Sequence, residues 1–147
     1  MKKLMLIVTV MMLLGVYSCS KDDSNPSVTD TVVSTVSVGT WKITYFFDTD
    51  KVETANFSGY NFTFGSNNVL TTSNGTNTYN GSWSILNNNS NDDSLDDLDF
   101  TISFASPDNF TELSEDWKVL SRTDSKIELK HVSGGNGGTD LLTFEKN

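Results

Sequence analysis

From Trp41 to the C-terminus, large apolar side chains recur at every second position in short runs separated by turn residues. Successive side chains on a β-strand point to opposite faces, so each run reads as a strand with one face buried. Trp41, Ile43, Tyr45 and Phe47 alternate with Lys42, Thr44, Phe46 and Asp48, and Asp48-Thr49-Asp50 marks a turn. Tyr60, Phe62 and Phe64 form the next run, ended by Gly65-Ser66-Asn67-Asn68 before Val69 to Thr72 begins another. Asn74-Gly75 is a strong hairpin signal, because a type I′ turn needs φ > 0 at both central positions. The returning strand carries Tyr79, Gly81, Trp83 and Ile85 on one face. After a polar loop come Leu98, Phe100, Ile102 and Phe104, then Trp117 and Val119, then Ile127, Leu129 and His131, and finally Leu142 and Phe144.

About eight short strands with turns roughly every ten residues predict an all-β fold, an antiparallel meander closed into a barrel, since closure removes exposed edges. A chain of 147 residues holds one such domain and no second. Eight strands leave an interior just wide enough for side chains or for one small ligand. Phe110, Leu113 and Trp117 are spaced for one side of a short helical turn, or form an irregular lead into the Trp117 strand. Gly134-Gly135-Asn136-Gly137-Gly138 lacks the strand-to-helix setting of a phosphate cradle and reads as a hairpin loop.

The N-terminus reads as an address. Lys2 and Lys3 precede an apolar run from Leu4 to Val16 of about thirteen residues, long enough for a signal peptide and too short for the ~20 that span a bilayer. Val16-Tyr17-Ser18-Cys19 resembles a bacterial lipobox, in which Cys19 accepts a diacylglycerol and becomes the first residue of the mature chain. Several acyl chains anchor a protein stably where one is marginal. Ser20-Lys21-Asp22-Asp23 is similar to the acidic surface-export signal of Bacteroidetes lipoproteins, which implies the outer membrane with the cell surface as the facing side and the periplasmic face as the alternative. The organisation expected is a signal peptide over 1–18, a lipidated flexible tether over 19–38, and a barrel domain over 39–147. The valines late in the tether leave room for a short helix or strand that closes one end of the barrel. Asp30-Thr31-Val32 and Asp93-Ser94-Leu95 resemble the short O-glycosylation pattern of the same bacteria.

Charge and composition exclude several functions. The chain carries 10 Lys and Arg against 19 Asp and Glu, and loss of Lys2 and Lys3 with the signal peptide leaves a balance of −11. Such a surface is unsuited to a phosphate backbone, so no nucleic-acid partner is expected. One Cys and one His cannot build a disulfide framework, a Cys/His zinc site or a Cys-His nucleophile. No Ser sits in a Gly-x-Ser-x-Gly turn. An enzyme is not expected, and neither is a cofactor.

Gly39-Thr40-Trp41-Lys42-Ile43 is similar to the Gly-x-Trp opening of lipocalins, whose Trp plugs the closed end of the barrel. With Phe62-Thr63-Phe64-Gly65, Gly81-Ser82-Trp83, Trp117-Lys118-Val119-Leu120, Ile127-Glu128-Leu129 and Leu142-Thr143-Phe144-Glu145-Lys146, the domain resembles the short lipocalin-like domains of Bacteroidetes lipoproteins. The Thr-Asp-Tyr motif and the late Arg that lies across the Trp are missing, and Lys146 stands near the place of that Arg. The resemblance implies a barrel that binds a small hydrophobic ligand. The competing reading is a surface module for protein or glycan contact, with a filled barrel and no ligand cavity.

Candidate ligand-binding residues are Trp41, Tyr45, Tyr60, Phe62, Trp83, Phe100, Phe104, Trp117 and His131, as calyx wall or, equally, as core filling. His131 shares parity with Ile127 and Leu129 and is expected to face inward near a strand end. Asp92, Asp93, Asp96 and Asp97 are candidate oxygen ligands for calcium, although the run lacks the EF-hand spacing. Gly39-x-Trp41-x-Ile43 recurs as Gly81-x-Trp83-x-Ile85, which reads either as a duplication or as two strands meeting similar crowding.

Overall fold

The computed structural model describes residues 25–89, 94–135 and 137–147. The leader, Cys19, Asp92 and Asp93 lie outside the described residues. The alternating runs form one antiparallel sheet: β1 (Trp41–Asp48), β2 (Lys51–Val52), β3 (Asn61–Phe64), β4 (Val69–Ser73), β5 (Thr78–Asn87), β6 (Leu98–Ser103), β7 (Asp116–Arg122), β8 (Lys126–Val132) and β9 (Thr139–Lys146). Each strand from β3 to β9 pairs with the next, and β1 pairs with both β3 and β9, which closes an eight-stranded barrel. β2 is the extra strand, hairpinned onto the end of β1 through Phe47 and Asp48.

One departure from simple alternation matters for the interior. The register of β1 against β9 shifts between Ile43 and Tyr45. An extra residue in one strand of a pair reverses the side-chain parity beyond it. Trp41 and Ile43 therefore face the core, but beyond the bulge Phe46 is the buried ring and Tyr45 is 38% exposed. The expectation that Tyr45 lines the interior is corrected accordingly. A second shift, between Val119 and Ser121 of β7, leaves Leu120 exposed.

Each end of the barrel has its own cover. At the end where β1 begins and β9 finishes, α1 (Val28–Val36) lies within the stretch expected to be tether. Its start is fixed by Ser27, whose hydroxyl oxygen accepts from the Asp30 amide at 3.1 Å. Four-residue spacing puts Val28, Val32 and Val36 on one face, and Val32 and Val36 are fully buried. The Trp41 indole donates to the Val36 carbonyl at 2.9 Å, and Arg122 donates to the Thr35 hydroxyl at 2.7 Å. Lys146 Nζ stands 4.9 Å from the Trp41 ring centroid, a cation–π contact.

The opposite end is covered by a 3-10 turn, Thr54–Phe57, and by α2 (Asp108–Thr111). Of the two readings of this segment, a helical turn forms over Asp108–Thr111 and an irregular lead follows it into β7, which holds Trp117; both Phe110 and Leu113 are fully buried. The Trp117 indole donates to the Leu113 carbonyl at 3.0 Å, locking the exit of this cover to β7.

The two Gly-x-Trp-x-Ile segments owe their glycines to different needs. Gly39 has φ +81° and turns the chain from α1 into β1, a conformation that L side chains rarely adopt. Gly81 sits where a Cβ would stand 2.3 Å from the Ser103 carbonyl oxygen, so it permits close approach of β5 and β6. The differing causes favour independent selection over duplication.

Candidate functional site

The interior is built from inward positions of almost every strand. Phe62 and Phe64 from β3, Trp83 from β5, Phe100 from β6 and Phe144 from β9 meet ring to ring, with centroids 5.3 to 5.5 Å apart for Phe62–Phe144, Phe64–Phe144, Phe64–Phe100 and Phe64–Trp83. Edge-to-face packing at such distances is the favoured geometry of aromatic pairs and leaves no room between partners. Toward the far end, Phe110 fits among Tyr60 (5.0 Å), Tyr79 (5.1 Å), Phe57 (5.3 Å) and Phe104 (5.3 Å). Phe46 joins Phe57 to Trp117 on the other side.

Of the expected ligand-binding residues, Trp41, Phe62, Phe100 and Trp117 are completely buried, and Phe104 and Trp83 nearly so. Their rings contact one another and the chain's other rings. Tyr60 and Tyr79 are half-buried at the far rim, where a hydrogen bond with the Tyr60 hydroxyl pushes the Tyr79 phenol up. His131 has the expected parity. At the rim its Nδ1 lies 3.1 Å from the Asp116 carbonyl oxygen and its Nε2 3.4 Å from a Glu115 carboxylate oxygen. Its ring also packs edge-on to Trp117 at 6.1 Å. His131 is therefore engaged by neighbours in its own wall.

A lateral cleft of about 290 Å³ opens beside Trp83, between α1, the β3–β4 connection and β5. Val33, Trp83, Ile85 and Leu86 supply its apolar lining, and Ser37, Ser66 and Asn67 contribute polar edges. Asn67 and Asn68 both take positive φ in the connection, and the Asn68 amide donates to the Trp83 carbonyl at 2.9 Å. The Trp83 indole donates to the Gly65 carbonyl at 3.0 Å, so its one polar atom is already engaged. Among the described residues the lining carries no charged side chain, which suits a small neutral molecule.

Of the calcium candidates, Asp96 is exposed and Asp97 is half-buried, its carboxylate accepting from the Asn89 side-chain amide at 3.3 Å. The carboxylates that converge among the described residues are others: Asp48, Glu53 and Glu112, at the far end, with oxygens within 4.8 Å of one another. This grouping escaped sequence reasoning because Glu112, just past α2, is brought to Asp48 at the end of β1 and to Glu53 only by the fold. Phe46 was missed because nothing in Thr44 signals the bulge. Phe57, flanked by polar residues, gave no periodic cue at all.

Of the two O-glycosylation patterns, Thr31 lies in α1 and its hydroxyl donates to the Ser27 carbonyl at 2.9 Å, while Asp93 of the second lies outside the described residues. Among the described residues no helix is long and apolar enough to cross a membrane. Comparison of the chain with protein-family models, with curated proteins and with solved structures finds no match.

Proposed function

We propose that this chain is an outer-membrane lipoprotein, anchored through Cys19, whose lipocalin-like barrel is a filled scaffold that makes contacts with macromolecules outside the cell through its exposed rim. The observation that carries the reading is the occupation of the interior by the chain's own rings, with α1 over one end and Phe110 in the other. A calyx needs volume that side chains do not claim, and here they claim it.

The anchor also orients the barrel. Eight residues, 20–27, separate Cys19 from the start of α1, and at ~3.4 Å per residue they reach at most about 27 Å. The α1 end is thus held near the membrane. The far rim, with Tyr60, Tyr79 and the Asn74-Gly75 hairpin, points away from it. A second reading, a small ligand, is favoured by the cleft beside Trp83. At about 290 Å³ the cleft sits at the lower limit of ligand sites, so its occupant would be small.

The anchoring is tested by growing the source bacterium with labelled palmitate. Label is expected in the full-length product and lost in Cys19→Ala, with the variant released from the membrane fraction. External protease on intact cells should then degrade the anchored wild type. A wild type without label, or one shielded from external protease until the cells are opened, contradicts the anchor or the outward orientation respectively.

A further inference from the structure

The two covers at the far end meet at three points. Phe57 packs edge-to-face on Phe110 at 5.3 Å, and the Asn109 amide donates to the Asn56 carbonyl at 3.4 Å. The third contact joins two acids: the Glu112 carboxyl at the end of α2 faces the Glu53 carboxyl before the 3-10 turn. Asp48, from the end of β1, brings a third carboxylate, and oxygens of all three lie within 4.8 Å of one another.

The charges that face this point are Asp48, Glu53, Glu112 and Lys51. Lys51 is the one cation among them, and it is committed to Glu53 Oε1. The other oxygen, Glu53 Oε2, is buried and accepts no hydrogen bond from a permanent donor. What stands opposite is the Glu112 carboxyl, which donates only when protonated. Two carboxylates so close resist joint ionisation, whereas one proton between them turns repulsion into a charge-assisted hydrogen bond.

We propose that a proton shared by Glu53 and Glu112 fastens α2 over the far end of the barrel, so that the cover is tight in mildly acidic medium and loosens as the proton leaves. Partial desolvation, then the hydrogen bond and the charge of Glu53, raise the carboxyl of Glu112, an exposed residue, above the ordinary glutamate range. The Lys51 bond holds Glu53 below it, so the proton resides on Glu112. The folded state therefore binds more protons than the unfolded state between the ordinary glutamate value and the raised value of Glu112. This contribution is fully present below that window and is lost as pH rises through it. Glu53 contributes in the opposite sense, at a lower pH: its stabilisation is lost only as pH falls through its depressed value.

Beneath the cover lies a polar group in want of a partner. Thr72 is fully buried on β4, paired across the sheet with Phe62 and Tyr79, and its hydroxyl has no hydrogen-bond partner among the described residues. Phe110 contacts both of those rings. Lifting α2 uncovers an aromatic recess whose wall carries the Thr72 hydroxyl and the Tyr60 and Tyr79 phenols. The latch itself stands on the geometry of the acids and is independent of the anchoring and contact reading above.

Amide hydrogen exchange on the full chain, corrected for the intrinsic effect of pH, tests the latch. Between about pH 5 and about pH 8, protection of residues 108–115 is expected to fall at least about threefold while β8 and β9 hold steady. Glu112→Gln, whose amide donates at any pH, should abolish the fall. Lys51→Met should move it to higher pH, because Glu53 then shares the proton more readily. An unchanged slope in Glu112→Gln, a loss of protection spread over the whole barrel, or restoration by added calcium at the upper pH would overturn the proposal.

Discussion

Phe110→Ala is expected to cost the barrel about 3–5 kcal/mol, the range for removing a buried phenylalanine whose surroundings cannot collapse. Phe110 is fully buried and sits in ring contact with Phe57, Tyr60, Phe62, Tyr79 and Phe104, which come from the 3-10 turn, the lead into β3, β3 itself, β5 and the strand end before α2. Those rings are held by separate strands of a closed sheet, so they cannot follow the lost side chain inward. The measurement is urea unfolding followed by tryptophan fluorescence, read as a shift of the midpoint at constant slope. Phe110→Leu should recover much of the loss because it refills most of the volume. A cost below about 1 kcal/mol for the alanine variant would mean that Phe110 rests on the barrel as a loose flap rather than forming part of its core.

Removing α1, in a chain that starts at Ser37, is expected to be the other severe change. Burying a valine side chain contributes about 1.5–3 kcal/mol, and two are fully buried here. The Trp41 indole also loses its acceptor, Val36 O, and an unsatisfied buried donor costs about 1–3 kcal/mol more. The sum, about 4–9 kcal/mol, is comparable with the whole stability of an ordinary domain. The truncated chain should lose the near-ultraviolet circular dichroism of its fixed tryptophans while keeping strand content in the far ultraviolet. Retention of the near-ultraviolet signal and of the full unfolding midpoint would show that α1 is only part of the tether.

These two elements also mark the boundary of what the residues reveal before folding. The barrel was legible because alternation and turn chemistry are local: Tyr60–Phe62–Phe64 and Leu98–Phe100–Ile102 state their faces within a few positions, and Asn74-Gly75 states its turn. α1 was legible only as an excess of valine, since β-branched residues argue against a helix whose stability comes from packing against Trp41. The bulge at Thr44 was invisible because the alternating pattern continues unbroken through it, and it exchanged Tyr45 for Phe46 in the core. Whether the aromatic set lines a space or fills it is a question of volume, and volume depends on how every strand is tilted and registered at once. The pairing of Glu53 with Glu112 was hidden for the same reason, being made by loop closure and not by spacing.

Filling of the barrel by its own rings is tested by native mass spectrometry of the chain from residue 20 onward, purified from the periplasm without detergent and then offered a panel of lipids and neutral hydrophobic dyes. The expected result is a homogeneous mass equal to that of the polypeptide, with no uptake into the interior and at most one small molecule lost on Leu86→Asp, an exposed position that lines the lateral cleft and takes no part in the ring packing. A stoichiometric lipid-sized companion that survives Leu86→Asp would contradict it, because such a molecule requires a cavity where Phe62, Phe64, Phe100 and Phe144 now touch.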